Sequence, residues 1–189
     1  MKKSIIATLC LGYLIANSAA AAETFGVNPI ESFVLFKVNR LGVSYVYGRF
    51  TGGLSGTIST DPAAPDKSTV ALELKTDTLD TGYAQRDKDI KGPDFQNVKQ
   101  FPLDTFKSTS DQKISDQLYI VTGDLTFHGV TKPVTVQANI IGRGGPKGEV
   151  QAGVEVHFTI KRSEYNVKYG LPQLGDDVEL TVAVTGAHR

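Results

Sequence analysis

Apolar and polar residues alternate with period two along most of this chain. The alternation is cleanest at Val134, Val136, Ala138 and Ile140, then at Val150, Ala152, Val154, Val156, Phe158 and Ile160, and again at Val178, Leu180, Val182 and Val184. A strand throws successive side chains to opposite faces, so this spacing predicts strands with one buried face. Similar segments at about 32–39, 43–59, 69–79, 104–110 and 117–128 are separated by turn-forming clusters such as Thr60-Asp61-Pro62 and the run from Gly142 to Gly148. The prediction is an all-β fold of eight mainly sequential strands, an antiparallel barrel or sandwich. A closed barrel has the advantage of leaving no exposed edge. A barrel of that size either holds a ligand or is filled by its own side chains, and periodicity does not choose between them.

The alternation stops between Thr81 and Pro102. Thr81 to Lys91 reads as a short helix ended by Gly92-Pro93, with a second short turn over 94–100. On that helix Tyr83, Arg86, Asp87 and Ile90 fall at i, i+3, i+4 and i+7, so the face turned to the protein carries two charges that need partners. One reading is a structural lock, each charge pairing with a strand residue such as Arg162 or Asp177. The other is a polar collar that orients a ligand's head group at the mouth of an apolar cavity; the lock is the leading reading. The segments Phe33–Val38 and Tyr45-Val46-Tyr47 are apolar on both faces. Plain core explains them, as would a cavity wall supplied with aromatics by Phe36, Tyr45, Phe95, Phe106, Phe127 and Phe158.

Composition refines this picture. The 189 residues carry 20 Lys+Arg against 20 Asp+Glu, which leaves no basic surplus for nucleic acid and no acidic tail. Lys2 and Lys3, the apolar run Ile5–Ala16 and the small residues up to Ala22 predict a secretory signal peptide at 1–22, cut after about Ala21 or Ala22. A dozen apolar residues are too few to span a bilayer. Cys10, the single cysteine, would leave with that peptide, so the barrel domain at 23–189 must be held by its core rather than by disulfides.

Catalytic and metal signatures fail on inspection. Gly53-Leu54-Ser55-Gly56-Thr57 has Thr where a nucleophile elbow needs its last Gly. His128, His157 and His188 lack the close spacing of zinc ligands and read as surface or turn residues. The stretch from Asp87 begins like a calcium loop, but Lys91 and Val98 stand at ligand positions. The glycine-rich run from Gly142 has no phosphate-loop spacing and reads as a hairpin loop. No metal or cofactor is expected.

Several ordered motifs carry a resemblance. They are Val38-Asn39-Arg40-Leu41-Gly42-Val43-Ser44 with Gly48-Arg49-Phe50, Arg86-Asp87 through Asp94-Phe95 to Phe101-Pro102 and Phe106–Thr109, the run Val121–Val134, and Arg162-Ser163 with Leu174–Val178. Together they resemble the YceI-like proteins, periplasmic or secreted polyisoprenoid-binding proteins with a lipocalin-like barrel. Arg40 and Asp89 stand where that family usually has histidine. The resemblance implies an extended eight-stranded barrel that holds a polyprenyl phosphate or an isoprenoid quinone, without catalysis, in the periplasm. The expected ligand contacts are Phe36, Val38, Arg40, Leu41, Tyr45, Arg86, Asp87, Phe95, Phe106, Leu125, Phe127, Phe158 and Arg162. Two alternatives stay open: a solid-barrel interaction module, and an enzyme using Asp87 or Asp89 as acid or base on a small amphiphile. Transient docking to a membrane or membrane protein, and homodimerisation, are also left open.

Overall fold

A computed structural model describes residues 22–61, 64, 67–146 and 149–188; the expected signal peptide lies outside them up to residue 21. Among the described residues there are eleven strands: β1 (Glu23–Val27), β2 (Phe33–Arg40), β3 (Ser44–Phe50), β4 (Leu54–Thr60), β5 (Thr69–Lys75), β6 (Leu79–Asp80), β7 (Leu103–Ser115), β8 (Leu118–Phe127), β9 (Val130–Gly144), β10 (Gln151–Lys161) and β11 (Leu174–His188). Among the described residues one α-helix, α1 (Ala84–Ile90), lies between β6 and β7, and short 3₁₀ turns cover Thr76–Thr78 and Arg162–Tyr165.

The strands β1, β4, β5, β7, β8, β9, β10 and β11 form a closed ring of eight antiparallel neighbours, shut by the pairing of β1 with β11. The expected all-β eight-stranded barrel is therefore present. The long β11 bridges two partners, pairing near its end with β1 (Val27 with Gly186) and along its first part with β2 (Leu180 with Phe36). The hairpin β2–β3 and the short β6 extend the sheet beyond β11.

Three differences from the expected elements have local causes. β1 is too short to show a period, and its pairing to both β4 and β11 is what fixes it. The segment expected as one strand over 43–59 is cut at Thr51-Gly52-Gly53, where Gly52 takes φ +65° and turns the chain into a corner. The helix is shorter than Thr81–Lys91 because Thr81 is held outside it by Asp87, as described below.

At one end of the barrel lie the β2–β3 and β8–β9 turns, the β10–β11 connection, the start of β7, and α1. At the other lie the β7–β8 and β9–β10 turns and the β4–β5 connection. A compact apolar cluster of Val27, Val34, Phe50, Leu54, Leu79 and Val184 packs where β1, β2, β3 and β4 meet, with Ile90 of α1 against it. Among the described residues no helix is long and apolar enough to cross a membrane.

Candidate functional site: an apolar lumen with unlike ends

The interior of the ring is a cavity of about 1290 Å³. Its wall is built by the inward positions of the alternating strands: Val134, Val136, Ala138 and Ile140 of β9, Ala152, Val154, Val156, Phe158 and Ile160 of β10, and Val178, Leu180, Val182 and Val184 of β11. Val150, read as part of the same stripe, precedes β10 and is exposed. The barrel is hollow partly because the tips of two inward aromatic rings occupy the space that a side chain would take at glycines of the neighbouring strand. A Cβ at Gly48 would sit 2.2 Å from the Phe36 ring, and one at Gly123 would sit 2.5 Å from the Phe106 ring. Each glycine leaves room at the wall for a ring that would otherwise be pushed inward. A solid barrel, one of the open alternatives, is not what the structure holds.

Ten of the thirteen expected contact residues line this lumen: Phe36, Val38, Arg40, Arg86, Phe95, Phe106, Leu125, Phe127, Phe158 and Arg162. Leu41, Tyr45 and Asp87 do not. Val46, not Tyr45, shares the inward face, because it pairs with inward Val38; Tyr45 is half exposed on the outside, with the Lys37 ammonium 4.6 Å from its ring centre. Leu41 occupies the β2–β3 turn at φ 57° and points to solvent at 52% exposure.

Asp87 and Arg86 correct the expected lock. Neither reaches Arg162 or Asp177; both are tied to Thr81. Asp87 Oδ1 accepts from the Thr81 N–H at 2.8 Å and from its hydroxyl at 2.5 Å, while Arg86 donates from Nε to Thr81 Oγ1 and from Nη2 to Thr81 O, each at 2.8 Å. The two charges thus fasten α1 to the residue before it, and Arg86 still faces the lumen. Asp177 instead pairs with Lys161 across the β10–β11 ladder at 2.7 Å.

Arg162 is a buried brace. Its guanidinium donates to the carbonyls of Gly175 (2.8 Å), Val167 (3.1 Å), Tyr169 (2.9 Å) and Leu174 (2.9 Å), knitting the β10–β11 connection to the start of β11. Burial holds its pKa below the usual arginine range, the nearby Asp176 opposing. Beside it, Asp176 takes the Ser163 N–H and hydroxyl at 2.8 and 2.7 Å.

Two lumen residues escaped the sequence reading. Asp104 is 6% exposed; its oxygens accept from Gln96 Nε2 at 2.9 Å and from the His128 N–H at 3.1 Å, joining the α1–β7 connection to the β8–β9 turn. Burial pushes its carboxyl up to about 7 against the pull of those two donors. It shares the inward parity of Phe106, so a charge in the wall was detectable from the alternation. Asp111, also 6% exposed, lines the lumen farther along the same strand, and burial raises it to about 6. Its inward position depends on a bulge that sequence does not show.

His128, at φ 50° in the β8–β9 turn, shares a hydrogen bond from Nδ1 with Tyr165 O at 3.1 Å and packs on the Phe101 ring. His157 lies outside, bonded to Glu155 and Thr181. Among the described residues no group of three or more His, Cys, Asp or Glu could hold a metal ion.

A closed antiparallel barrel around a continuous apolar lumen, polar at its ends, defines a lipocalin-like architecture. The chain belongs to the YceI-like domain family, whose model matches residues 25–186. It is 36% identical to Protein YceI of Escherichia coli O157:H7 over 192 aligned residues, with all of both chains covered. The crystal structure of Campylobacter jejuni YCEI protein superposes with a TM-score of 0.71 at 28% identity, covering 81% of this chain and 91% of that one. A polyisoprenoid binding domain from Saccharophagus degradans implicated in plant cell wall breakdown shares the fold, with a TM-score of 0.67 at 15% identity over 87% of this chain and 98% of that one.

Proposed function

We propose that this protein is a non-catalytic binder of a long-chain isoprenoid lipid, a polyprenyl phosphate or an isoprenoid quinone, for transport, storage or sequestration. The carrying observation is the lumen: about 1290 Å³, lined along its length by aliphatic and aromatic side chains. Pockets for compact ligands occupy roughly 300–1,000 Å³, so the space suits an extended chain better than a small metabolite. The binding activity named for the Saccharophagus degradans domain supports the same reading.

Energetics suit shuttling rather than trapping. Burying each CH₂ contributes about 0.8 kcal/mol relative to water, but a bilayer solvates the chain equally well, so transfer between membrane and lumen is nearly neutral. Selection then falls to tail length and to polar groups at the ends. Arg86 and Arg40 line the α1 end; Arg86 keeps Nη1 without a hydrogen bond and Arg40 has no ion pair among the described residues. These two are the proposed head-group contacts. Of the two carboxylates the alternative enzyme reading would use, Asp87 is outside the lumen and committed to Thr81. Asp89 lines the lumen and accepts from Gln85 Nε2 at 3.0 Å, with no second catalytic partner beside it in that reading. The signal-peptide reading of residues 1–22 supports a periplasmic site of action, with delivery by transient contact at a membrane.

The test is mass spectrometry of organic extracts from natively purified protein, beside an unrelated exported protein from the same host. A stoichiometric isoprenoid is the expected result. Its absence after incubation with quinones and polyprenyl phosphates would overturn the proposal. Unchanged lipid occupancy in a folded Arg86→Ala protein would overturn the head-group assignment alone.

A further inference from the structure

Asp111 is the unexplained group in the lumen wall. At 6% exposure both of its carboxylate oxygens are buried without a hydrogen-bond partner, and no cation among the described residues reaches salt-bridge distance. Ser108, whose Oγ accepts from the Val70 N–H at 2.8 Å, keeps its hydroxyl proton for Asp111, a single neutral donor that only partly offsets the burial. Buried polar groups in native proteins almost always have partners, and a buried carboxylate without one is expensive.

The backbone spends a bulge to put it there. On β7, Ser108 pairs with Gly123 but Ser110 pairs with Thr122, so Thr109 is an extra residue. Before the bulge the even positions Asp104 and Phe106 face inward; after it the odd position Asp111 does. Had the strand kept regular alternation with no bulge, the lumen would receive Ser110, and Asp111 would face solvent. Bulges re-aim side chains in this way at functional sites. The carboxylate lies about 20 Å along the strand from Asp104, toward the end away from α1. The cations that line that end are already matched: Lys113 by Asp116 at 2.7 Å and Arg143 by Glu23 at 2.6 Å. Asp61 and Tyr119 line it too.

We propose that Asp111 is an acceptor subsite inside the lumen for the protonated amine of a long-chain amphiphile, a ligand class distinct from an isoprenoid with an anionic or quinone head. With its carboxyl near 6, Asp111 is charged at neutral pH inside an apolar tube; an ammonium on an alkyl chain supplies both the missing partner and a tail that fits the wall. This rests on the reading of the lumen as a chain-binding site, but not on the isoprenoid.

The test is displacement of the neutral rod diphenylhexatriene from the barrel domain at pH 7.5 by dodecylamine, dodecanol and dodecanoic acid. The wild-type protein is expected to bind the amine about tenfold more tightly than the alcohol, the worth of one charged hydrogen bond, and the acid least. In Asp111→Asn the amine should fall to the level of the alcohol, with alcohol and diphenylhexatriene affinity unchanged. An amine no better than the alcohol in the wild-type protein, or undiminished in the variant, overturns the subsite. If Asp111→Asn does not fold, the wild-type series decides alone. Failure of diphenylhexatriene to enter the wild-type barrel overturns the chain-binding reading and this subsite with it, whereas entry without amine preference removes only the subsite.

Discussion

The two ends of the lumen deal with buried polarity in opposite ways. At the α1 end the buried charges are tied back to protein, Arg162 to four carbonyls and Asp104 to Gln96 and His128, and Arg86 is fastened to Thr81. Arg40, Arg86 Nη1 and the buried His128 Nε2 keep free capacity there. At the far end Asp111 has no charged or amide partner, only the Ser108 hydroxyl opposing its burial, although it is as buried as Asp104. Polar groups that are fully satisfied make a rigid frame; one left unsatisfied costs stability and is open to a partner. The contrast separates scaffold from binding site on the basis of hydrogen-bond accounting, before any ligand is known.

Removing a member of the rigid frame should have the largest effect. Arg162→Ala leaves carbonyls of Val167, Tyr169, Leu174 and Gly175 unpaired in and around a buried connection, and is expected to cost about 3–5 kcal/mol. Thermal denaturation should show a fall in Tm of at least roughly 6 °C. Arg162→Lys should recover little, because one ammonium cannot serve four separately placed acceptors. A Tm within a degree of the parent's would mean that the end is not organised by this brace.

The two carboxylates are next, and they titrate in the same direction. An unfolded aspartate titrates near 3.9, while Asp104 titrates at about 7 and Asp111 at about 6 in the folded protein. Between the unfolded and folded values the native state holds a proton that the unfolded chain releases, so stability falls as pH rises. The loss from Asp104 accrues between about pH 4 and 7, that from Asp111 between about 4 and 6. Asp104→Asn should therefore be neutral at pH 4 and stabilising by about 1–3 kcal/mol at pH 8, since the amide keeps an acceptor for His128 while Gln96 can turn its oxygen toward the new N–H. Asp111→Asn should stabilise as well, by about 1–2 kcal/mol with its pH dependence ending a unit lower. Chemical denaturation at a series of pH values measures both. Stability independent of pH from 4 to 8 in the parent protein would remove the premise for either.

How much of this was legible in the sequence depended on whether a strand has one apolar face or two. For β9, β10 and β11, period-two spacing identified the lumen wall nearly residue by residue, from Val134 to Val184, because their outward positions are polar. In the β2–β3 hairpin both faces are apolar. Parity there carries no information, and Tyr45 was assigned inward where Val46 belongs. Helical spacing put Arg86 and Asp87 together on the inward face, whereas only Arg86 lines the lumen; their shared partner Thr81, five and six residues away, follows from the turn before α1 rather than from any strand. Asp111 was invisible for a different reason. Its orientation is set by an extra residue relative to β8, a relation between two strands that neither sequence segment contains alone.

The smallest effect concerns Lys113, the cation that shares the far end with Asp111. It lines the lumen, pairs with Asp116 at 2.7 Å and is 39% exposed, with Asp116 at 95%. Exposed pairs of this kind contribute little to folding, so Lys113→Ala should leave the Tm unchanged within error. Its effect on a cationic ligand is another matter. Removing a positive charge near an ammonium bound at Asp111, and freeing Asp116, should tighten dodecylamine by about twofold in low salt and leave dodecanol unchanged, with the difference disappearing by about 1 M salt as screening shortens the reach of the charges. The same substitution should leave an isoprenoid headed at Arg86 unaffected, because that head group would sit at the opposite end. If Lys113→Ala altered amine and alcohol equally, the change would reflect access through the far end rather than charge, and the electrostatic difference between the two ends would not extend beyond Asp111 itself.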